Sequence, residues 1–103
     1  MEKTFTQRGF GTYQFKDSYG AECSLQKSSS AMEDKIWFGI DDPDPKIMAY
    51  HAKQFGVKTY ETTGWVTYPI PEEVLISTRM HLNQEQVAEL IPILQKFVET
   101  GEI

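Results

Sequence analysis

The chain has 103 residues, of which 40% are hydrophobic and 24% charged, a composition that supports one folded domain and excludes a disordered chain. Its formal net charge of −5 argues against direct binding to nucleic acid, because such proteins usually carry a basic surface. No segment approaches the roughly 20 apolar residues of a membrane helix, and the N-terminus lacks the apolar core of a signal peptide. The single cysteine, Cys23, excludes an intrachain disulfide and predicts a reducing, cytoplasmic location.

Residues 10–27 are predicted to form a β-hairpin that follows an N-terminal arm, residues 1–9. Residues 10–16 are rich in aromatic and β-branched types, which favour strands. Asp17 and Gly20 occupy the positions that these residue types prefer in a type I turn. Residues 21–27 then alternate between apolar and polar side chains, the pattern of a half-buried strand.

The central part of the chain combines one strong strand with an irregular, aromatic-rich insert at residues 41–72. Residues 35–40 are the most strand-like run, and Pro43 and Pro45 end it because neither can donate to a β-ladder. Within the insert, residues 50–56 could form a short helix that ends at Gly56. Residues 57–63 could form a strand, and residues 64–71 an extended loop or a short edge strand.

The C-terminal third predicts a long strand followed by an amphipathic helix. Residues 73–82 alternate in polarity, and Asn83 with Gln86 has the spacing of a capping box. Apolar residues then recur at helical spacing to about residue 100, and Gly101 stands where a helix C-cap is expected. Pro92 interrupts this helix and predicts a kink rather than a break.

This order of elements predicts an α+β fold within a single domain, residues 1–103. We expect a mostly antiparallel sheet of four or five strands, with the C-terminal amphipathic helix packed on one face. The apolar residues of the helix would face the apolar side of the sheet: Val87, Leu90, Ile91, Leu94 and Phe97 against Cys23, Leu25, Ile36, Phe38, Ile76 and Met80. Insert 41–72 or a partner chain would cover the other sheet face.

No pattern of residues predicts catalysis, and no cofactor or metal site is expected. Cys23 lies on the apolar side of its predicted strand and has no partner histidine, so it is interpreted as a small buried hydrophobe. His51 and His81 have no neighbours at catalytic or ligand spacing. The serine and lysine of Ser24-Leu-Gln-Lys27 would point to opposite faces of a strand, unlike the helical S-x-x-K motif of penicillin-recognising enzymes.

The aromatic residues of the insert are the leading candidates for contacts with a ligand or a partner. The chain has more aromatic residues than so small a core can hold, and those between 50 and 68 fit neither a helical nor a strand period. Such residues, together with hydroxyl groups on a turn, suit a pocket or a protein hot spot. The candidate residues are Tyr50, Tyr60, Trp65 and Tyr68, with Ser28 and Ser29 of the three-serine run.

A second candidate surface is the acidic side of the C-terminal helix. Residues 1–40 carry five acidic and five basic residues, whereas residues 73–103 carry five acidic and two basic ones. The excess negative charge therefore falls partly on the outer side of the helix. If the protein has an acidic contact surface, it is expected at Glu85, Glu89 and Glu99.

Several strings of the sequence resemble a group of short uncharacterised proteins of phages and prophages. The resemblance covers about two-thirds of the chain and omits residues 41–72. It implies a host-cytosol setting and a small accessory role, with no assigned activity. The strings are Phe15-Lys-Asp17-Ser-Tyr19-Gly20, Ser24-Leu25-Gln26-Lys-Ser28-Ser29, Ile36-Trp37-Phe-Gly39, Met80-His81-Leu82-Asn83 and Leu94-Gln-Lys-Phe97-Val-Glu-Thr-Gly101-Glu102.

These observations favour a small cytoplasmic binding protein without enzymatic activity. The leading hypothesis is a phage-encoded modulator that acts by contacts with a host or phage protein. The alternative is a protein that binds or sequesters a nucleotide-like small molecule through the aromatic insert and the serine turn. A homodimer is a further expectation, because it would support the small core of so short a domain.

Overall fold

The computed structural model describes residues 1–103 and divides them into two compact units. The first unit consists of Met1–Asp41 with Thr78–Ile103, and the second is Asp42–Ser77, close to the predicted insert. The elements in chain order are β1 (Lys3–Phe5), β2 (Gly11–Lys16), β3 (Glu22–Lys27), β4 (Lys35–Ile40), β5 (Lys46–Met48), α1 (Ala49–Ala52), β6 (Trp65–Thr67), β7 (Arg79–Asn83) and α2 (Gln84–Thr100).

The first unit contains a five-stranded sheet in the order β1-β2-β3-β4-β7, with every neighbouring pair antiparallel. Together with α2, this sheet confirms the predicted α+β class. The segment expected to be an N-terminal arm contains β1, which pairs with β2 and forms one edge of the sheet.

The predicted hairpin is confirmed, and its turn shows why the chain reverses there. The carboxylate oxygen Oδ1 of Asp17 accepts hydrogen bonds from the backbone N–H groups of Tyr19 at 2.8 Å and Ala21 at 2.9 Å. Gly20 adopts a φ of +87°, which a residue without Cβ adopts at little cost. The Asp and Gly of the turn therefore supply a hydrogen-bond acceptor and a left-handed backbone.

The strand register separates the sheet into two chemically different faces. Tyr13, Leu25, Phe38 and Met80 lie opposite one another on successive strands, so their side chains share one face. We call this the apolar face; its apolar residues are Phe5, Tyr13, Phe15, Cys23, Leu25, Ile36, Phe38, Ile40, Met80 and Leu82, and Lys3 and Lys27 also lie on it. The other side, the polar face, includes Thr4, Thr12, Gln14, Ser24, Gln26, Trp37, Arg79 and His81.

The prediction of a strand over residues 73–82 is wrong for its first half. The strand begins at Arg79, and the side chains of Val74 and Leu75 are 51% and 89% exposed. A strand needs a neighbour to pair with, and β4 ends at Ile40 just before Asp41, Asp42 and Pro43. Residues 73–77 have no neighbouring strand and belong to the second unit, so Ile76 is not part of the sheet.

Both ends of α2 confirm the capping predictions. The side chain of Asn83 accepts a hydrogen bond from the backbone N–H of Gln86 at 2.9 Å, and the Gln86 side chain accepts one from the Asn83 N–H at 3.0 Å. Gly101 closes the helix with a φ of +74°, and its N–H donates to the carbonyl of Phe97. The helix is continuous through Pro92.

The position of α2 differs from the prediction that it packs on the sheet. None of its residues is buried, and Ile91, Leu94 and Phe97 are 59%, 53% and 56% exposed. Asn83 is both the last residue of β7 and the N-cap of α2, so no loop separates the two elements. A helix needs a connecting loop to reverse direction over its own sheet. The helix therefore leaves the sheet with its apolar side uncovered.

The second unit is a small α+β arrangement of its own. β5 and β6 pair antiparallel, and α1 follows β5 directly; Ala49 and Ala52 are its buried residues. The predicted short helix is confirmed in a shorter form, with a turn that runs on to Gly56. β6 confirms the short-strand interpretation of residues 64–71, whereas the strand considered at residues 57–63 is absent.

Candidate functional site

On the polar face, near the β7 edge of the sheet, an arginine is stacked on a tryptophan. The guanidinium carbon of Arg79 lies 4.4 Å from the ring centroid of Trp37, and the ring of His81 lies 4.8 Å from the same tryptophan. Trp37 and His81 are opposed residues of β4 and β7, which explains their contact. A cation–π contact of this kind attracts the guanidinium to the tryptophan ring and favours this position of the arginine side chain.

Two polar side chains next to this stack fix the arginine further. The hydroxyl of Ser24 donates to Asp41 Oδ1 at 2.6 Å, and Arg79 Nη1 donates to Ser24 Oγ at 3.5 Å. Ser24 is only 4% exposed, so its hydroxyl is held within the sheet surface. Arg79 takes part in none of the four ion pairs of the structure. Its charge is therefore positioned by neighbours but not neutralised by a direct acidic partner.

Gly39 allows β7 to come close enough for this arrangement. It pairs with Arg79, and a Cβ at this position would lie 2.7 Å from the carbonyl oxygen of Thr78 and 3.0 Å from the Cα of Arg79. Any side chain here would push β7 away from β4. The glycine thus helps to place Arg79 over Trp37.

A shallow polar groove of about 470 Å³ lies beside the stack. Neutral hydrogen-bonding groups line most of it, and Asp41 and Arg79 are the charged side chains in its wall. Such a surface can accept and donate several hydrogen bonds to an extended partner. The lining residues are Thr4, Phe5, Thr6, Gln7, Thr12, Gln14, Ser24, Gln26, Asp41 and Arg79.

The arrangement offers no group that would activate a nucleophile. Ser24 donates its proton to a carboxylate, and no histidine lies within hydrogen-bond distance of its oxygen. Cys23 lies on the apolar face, where burial and the negative charge of Asp17 raise the pKa of its thiol, which favours the unreactive protonated form. No group of three or more His, Cys, Asp or Glu side chains is placed to hold a metal ion.

The predicted aromatic residues do not gather into one pocket. Tyr50 and Trp65 are 68% and 66% exposed, Tyr60 is fully exposed, and Tyr68 is half-buried. Tyr50 packs against its neighbour His51, with ring centroids 4.1 Å apart. Tyr60 lines an open groove of about 530 Å³ with Lys53, Gly56, Val57, Lys58 and Thr59.

The two predicted serines belong to the first unit and differ in exposure. Ser28 is 7% exposed, and its backbone N–H donates to the carbonyl of Lys35 at 2.9 Å. Its hydroxyl accepts a hydrogen bond from the N–H of Ser30 at 3.2 Å. Ser29 is exposed. The serine turn therefore uses its polar groups to close the connection between β3 and β4.

The predicted acidic residues all lie in α2 and are exposed. Glu85 occupies the first turn, and Glu99 accepts a hydrogen bond from Gln95 at 3.1 Å. With about 100° of rotation per residue, Glu85, Glu89 and Glu99 fall on the side of the helix opposite to its apolar residues. The acidic side predicted from the sequence is thus present as an exposed surface.

The stack of Arg79 on Trp37 was not among the predicted site residues. Polarity alternation placed Arg79 and His81 on one side of a strand and Ser24 on the polar side of another. Ser24 and Arg79 are 55 positions apart, and only the pairing of β3 with β4 and of β4 with β7 brings them together. A predicted strand order would have been needed to find this site.

No protein-family model matches the chain, and neither a curated protein nor a solved structure is detectably similar to it. No helix in the structure has both the length and the apolar character needed to cross a membrane.

Proposed function

We propose that this chain is a non-enzymatic binding protein of the cytoplasm that acts through contacts with another protein, as a phage-encoded modulator of a host system would. The observation that carries the proposal is the Arg79 guanidinium, held on Trp37 at 4.4 Å without an ion-pair partner. Arginine and tryptophan are the residue types most enriched among interface hot spots. The phage setting rests on the sequence resemblance alone.

The surroundings of Arg79 favour a partner that presents a carboxylate. A planar guanidinium forms two parallel hydrogen bonds with a carboxylate, and an arginine already held in place loses little side-chain freedom on binding. The groove beside it offers the amides of Gln14 and Gln26 to polar groups of the same partner. A partner with an exposed aspartate or glutamate next to an extended segment would fit this surface.

The experiment is affinity capture from host lysate with the wild-type chain and with Arg79→Ala, followed by calorimetry on the captured partner. We expect a stoichiometric partner whose Kd rises about 30-fold in the variant, the effect of losing a hot spot of about 2 kcal/mol. Lys16→Ala, an exposed change at the end of β2, is the matched control and should bind like wild type. Equal binding by Arg79→Ala would reject this site, and the absence of any stoichiometric partner would reject the function.

A second candidate function, binding of a nucleotide-like molecule, is favoured by the groove at Tyr60. Lys53 and Lys58 line this groove and take part in no ion pair, so two positive charges stand beside an exposed aromatic ring. A phosphate could contact the lysines while a base stacks on Tyr60. Thermal unfolding with ATP, GTP and cyclic nucleotides tests this, because a ligand that binds the folded chain raises the Tm. A rise in wild type that Lys58→Ala abolishes supports nucleotide binding; no rise with any of them rejects it.

A further inference from the structure

More exposed large hydrophobic residues lie on α2 than on any other element. Its apolar residues cover an arc of about 160° around the helix axis, and every charged residue of the helix lies outside that arc. A stripe this wide is typical of a helix that lies against the core of a domain, and is wider than the seam of a two-stranded coiled coil. We call it the α2 stripe; it consists of Val87, Leu90, Ile91, Ile93, Leu94, Phe97 and Val98.

The apolar face of the sheet has a chemistry that matches the α2 stripe. Leu25, Ile36 and Phe38 are only half-buried, and Met80 is 54% exposed. At the base of the helix, a groove of about 480 Å³ joins the two surfaces through Ile36 and Leu82 of the sheet and Val87 and Ile91 of the helix. The α2 stripe and the apolar face of the sheet thus have the apolar side chains that would form a hydrophobic core if the two surfaces were in contact.

The junction between β7 and α2 prevents these halves from closing within one chain. Asn83 pairs with Lys35 as the last residue of β7 and also caps α2, with hydrogen bonds to Gln86 in both directions. Connections between packed elements usually need about two to six residues, and here there are none. A connection too short for the helix to fold back favours exchange of the element between two chains.

The surface area of the chain is large enough for such an exchange. The chain exposes 8796 Å², against about 5900 Å² expected for one folded protein of this mass and about 7000 Å² for two separately folded units of the observed sizes. The chain thus exposes about 1800 Å² more than two separately folded units would. Two chains together would have about 3600 Å² to bury, which is within the range of obligate dimers. A second copy of the chain can therefore cover as much exposed surface as a stable interface needs.

From the capping at Asn83, the matching apolar surfaces and this area, we propose that two copies exchange their C-terminal helices. In the dimer, the α2 stripe of each chain lies on the apolar face of its partner. This arrangement forms, between chains, the helix–sheet contacts that the sequence predicts within one chain. The two contacts are related by a two-fold axis, so the interface closes and does not extend into a fibre. This inference does not depend on the proposed function, since the Arg79 site lies on the opposite face of the sheet.

Light scattering after size exclusion gives the first test, on the full chain. We expect twice the chain mass of 11.8 kDa; a monomer over the micromolar range would overturn the proposal. Leu94→Glu should raise the dimer Kd by about 100-fold or more, because the interface would bury an unpaired charge. Gln95→Glu adds the same charge outside the α2 stripe and should remain a dimer. Equal masses for these two variants would overturn the proposal.

A longer connection between β7 and α2 distinguishes helix exchange from other kinds of dimer. This test remains informative even if the Leu94→Glu variant does not fold. Inserting Gly-Ser-Gly-Ser between Leu82 and Asn83 keeps the capping box and supplies the missing loop. We expect a folded monomer with unchanged helix content by circular dichroism, because α2 can then lie on its own sheet. An insertion variant that remains a dimer would contradict the proposal.

Crosslinking identifies what the helix touches. In a Cys23→Ser background, chains with Phe38→Cys and chains with Leu94→Cys are refolded together and treated with a short bis-maleimide. We expect a covalent pair that joins the two kinds of chain, and no such pair when Lys96→Cys replaces Leu94→Cys. Crosslinks between two Leu94→Cys chains alone would indicate a helix–helix dimer and would overturn helix exchange.

Discussion

Gly39 is the glycine at which an added side chain would meet the closest contact, 2.7 Å from the carbonyl oxygen of Thr78. Its φ is +150°, and an added Cβ would meet backbone atoms of Thr78 and Arg79 that have no freedom to rotate away. Gly11, also a strand glycine, differs because an added Cβ would meet the side chain of Lys3, which can move. The two glycines therefore have similar sequence contexts and different structural roles.

We expect Gly39→Ala to lower the free energy of unfolding by about 2 kcal/mol or more, through overpacking against β7 and an unfavourable φ. Gly11→Ala should change it by less than about 1 kcal/mol. Urea unfolding followed by far-UV circular dichroism measures both. Equal losses for the two variants would contradict the role assigned to Gly39.

The ion pair between Lys27 and Asp34 is a contact that depends on pH. Lys27 Nζ lies 2.6 Å from Asp34 Oδ1, and this hydrogen bond, together with the lysine charge, lowers the pKa of the Asp34 carboxyl. A carboxyl whose pKa is lower in the folded state stabilises the fold above its unfolded pKa. That stabilisation is lost as the pH falls through the folded pKa, and it is small because both side chains are substantially exposed.

We expect the Asp34 carboxyl to titrate below the usual range for aspartate, and to return to that range in Lys27→Met. Carbon-detected NMR of the side-chain carboxyl measures this directly. Lys16→Met removes a longer ion pair, at 3.6 Å to Glu22, and should leave the Asp34 titration unchanged. An Asp34 titration that is insensitive to Lys27→Met would contradict the assigned cause.

At the scale of elements, α2 combines good capping with an unfavourable interior residue. Its N-cap, capping box and C-terminal glycine are all formed, while Pro92 removes one backbone donor from the middle of the helix. The carbonyl of Ala88, four residues earlier, therefore has no helical N–H to accept from. Pro92 lies outside the α2 stripe, so a change there leaves the apolar surface intact.

We expect Pro92→Ala to raise the free energy of unfolding, by up to about 3 kcal/mol, because it restores the missing hydrogen bond and relieves the clash. Gln95→Ala, another exposed position in the same helix, should have an effect within about 0.5 kcal/mol. Urea unfolding at one fixed protein concentration compares them, since the stability of the dimer proposed above would depend on concentration. A loss of stability in Pro92→Ala would contradict the unfavourable role assigned to this proline.

At the scale of the whole molecule, the two units differ in the number of paired strands and buried residues that stabilise them. The first contains a five-stranded sheet, whereas the second contains two three-residue strands and one helical turn, with Ala49 and Ala52 as its buried residues. Opening free energies follow the number of buried apolar contacts and paired backbone groups. The second unit should therefore open more easily than the sheet.

Hydrogen exchange followed by NMR measures this difference. We expect the amides that pair β5 with β6 to exchange at least about 100-fold faster than those that pair β3 with β4, a difference of about 2.7 kcal/mol in opening free energy. Amides at the unpaired edge of β1 give the reference for unprotected backbone. Equal protection of the two ladders would indicate that both units unfold together.

Much of the secondary structure was predictable because it depends on local sequence. The hairpin at Asp17 and Gly20, strand β4 and the caps of α2 at Asn83 and Gly101 each follow from the side chains within a few positions. The strand at 73–78 was wrongly predicted because alternating polarity does not ensure that a neighbouring strand exists. The Arg79–Trp37 site was missed because strand order, not local pattern, brings its residues together.

The sequence by itself determined the α+β class, the hairpin, the limits of the last helix and the wide apolar stripe on that helix. These features depend on periodicity, turn chemistry and capping, which act over a few residues. The tertiary structure decided where that stripe points and which polar side chains meet on the sheet. The physical reason is that strand register joins residues as distant as Ser24 and Arg79, while the missing loop at Asn83 keeps the helix from its own sheet.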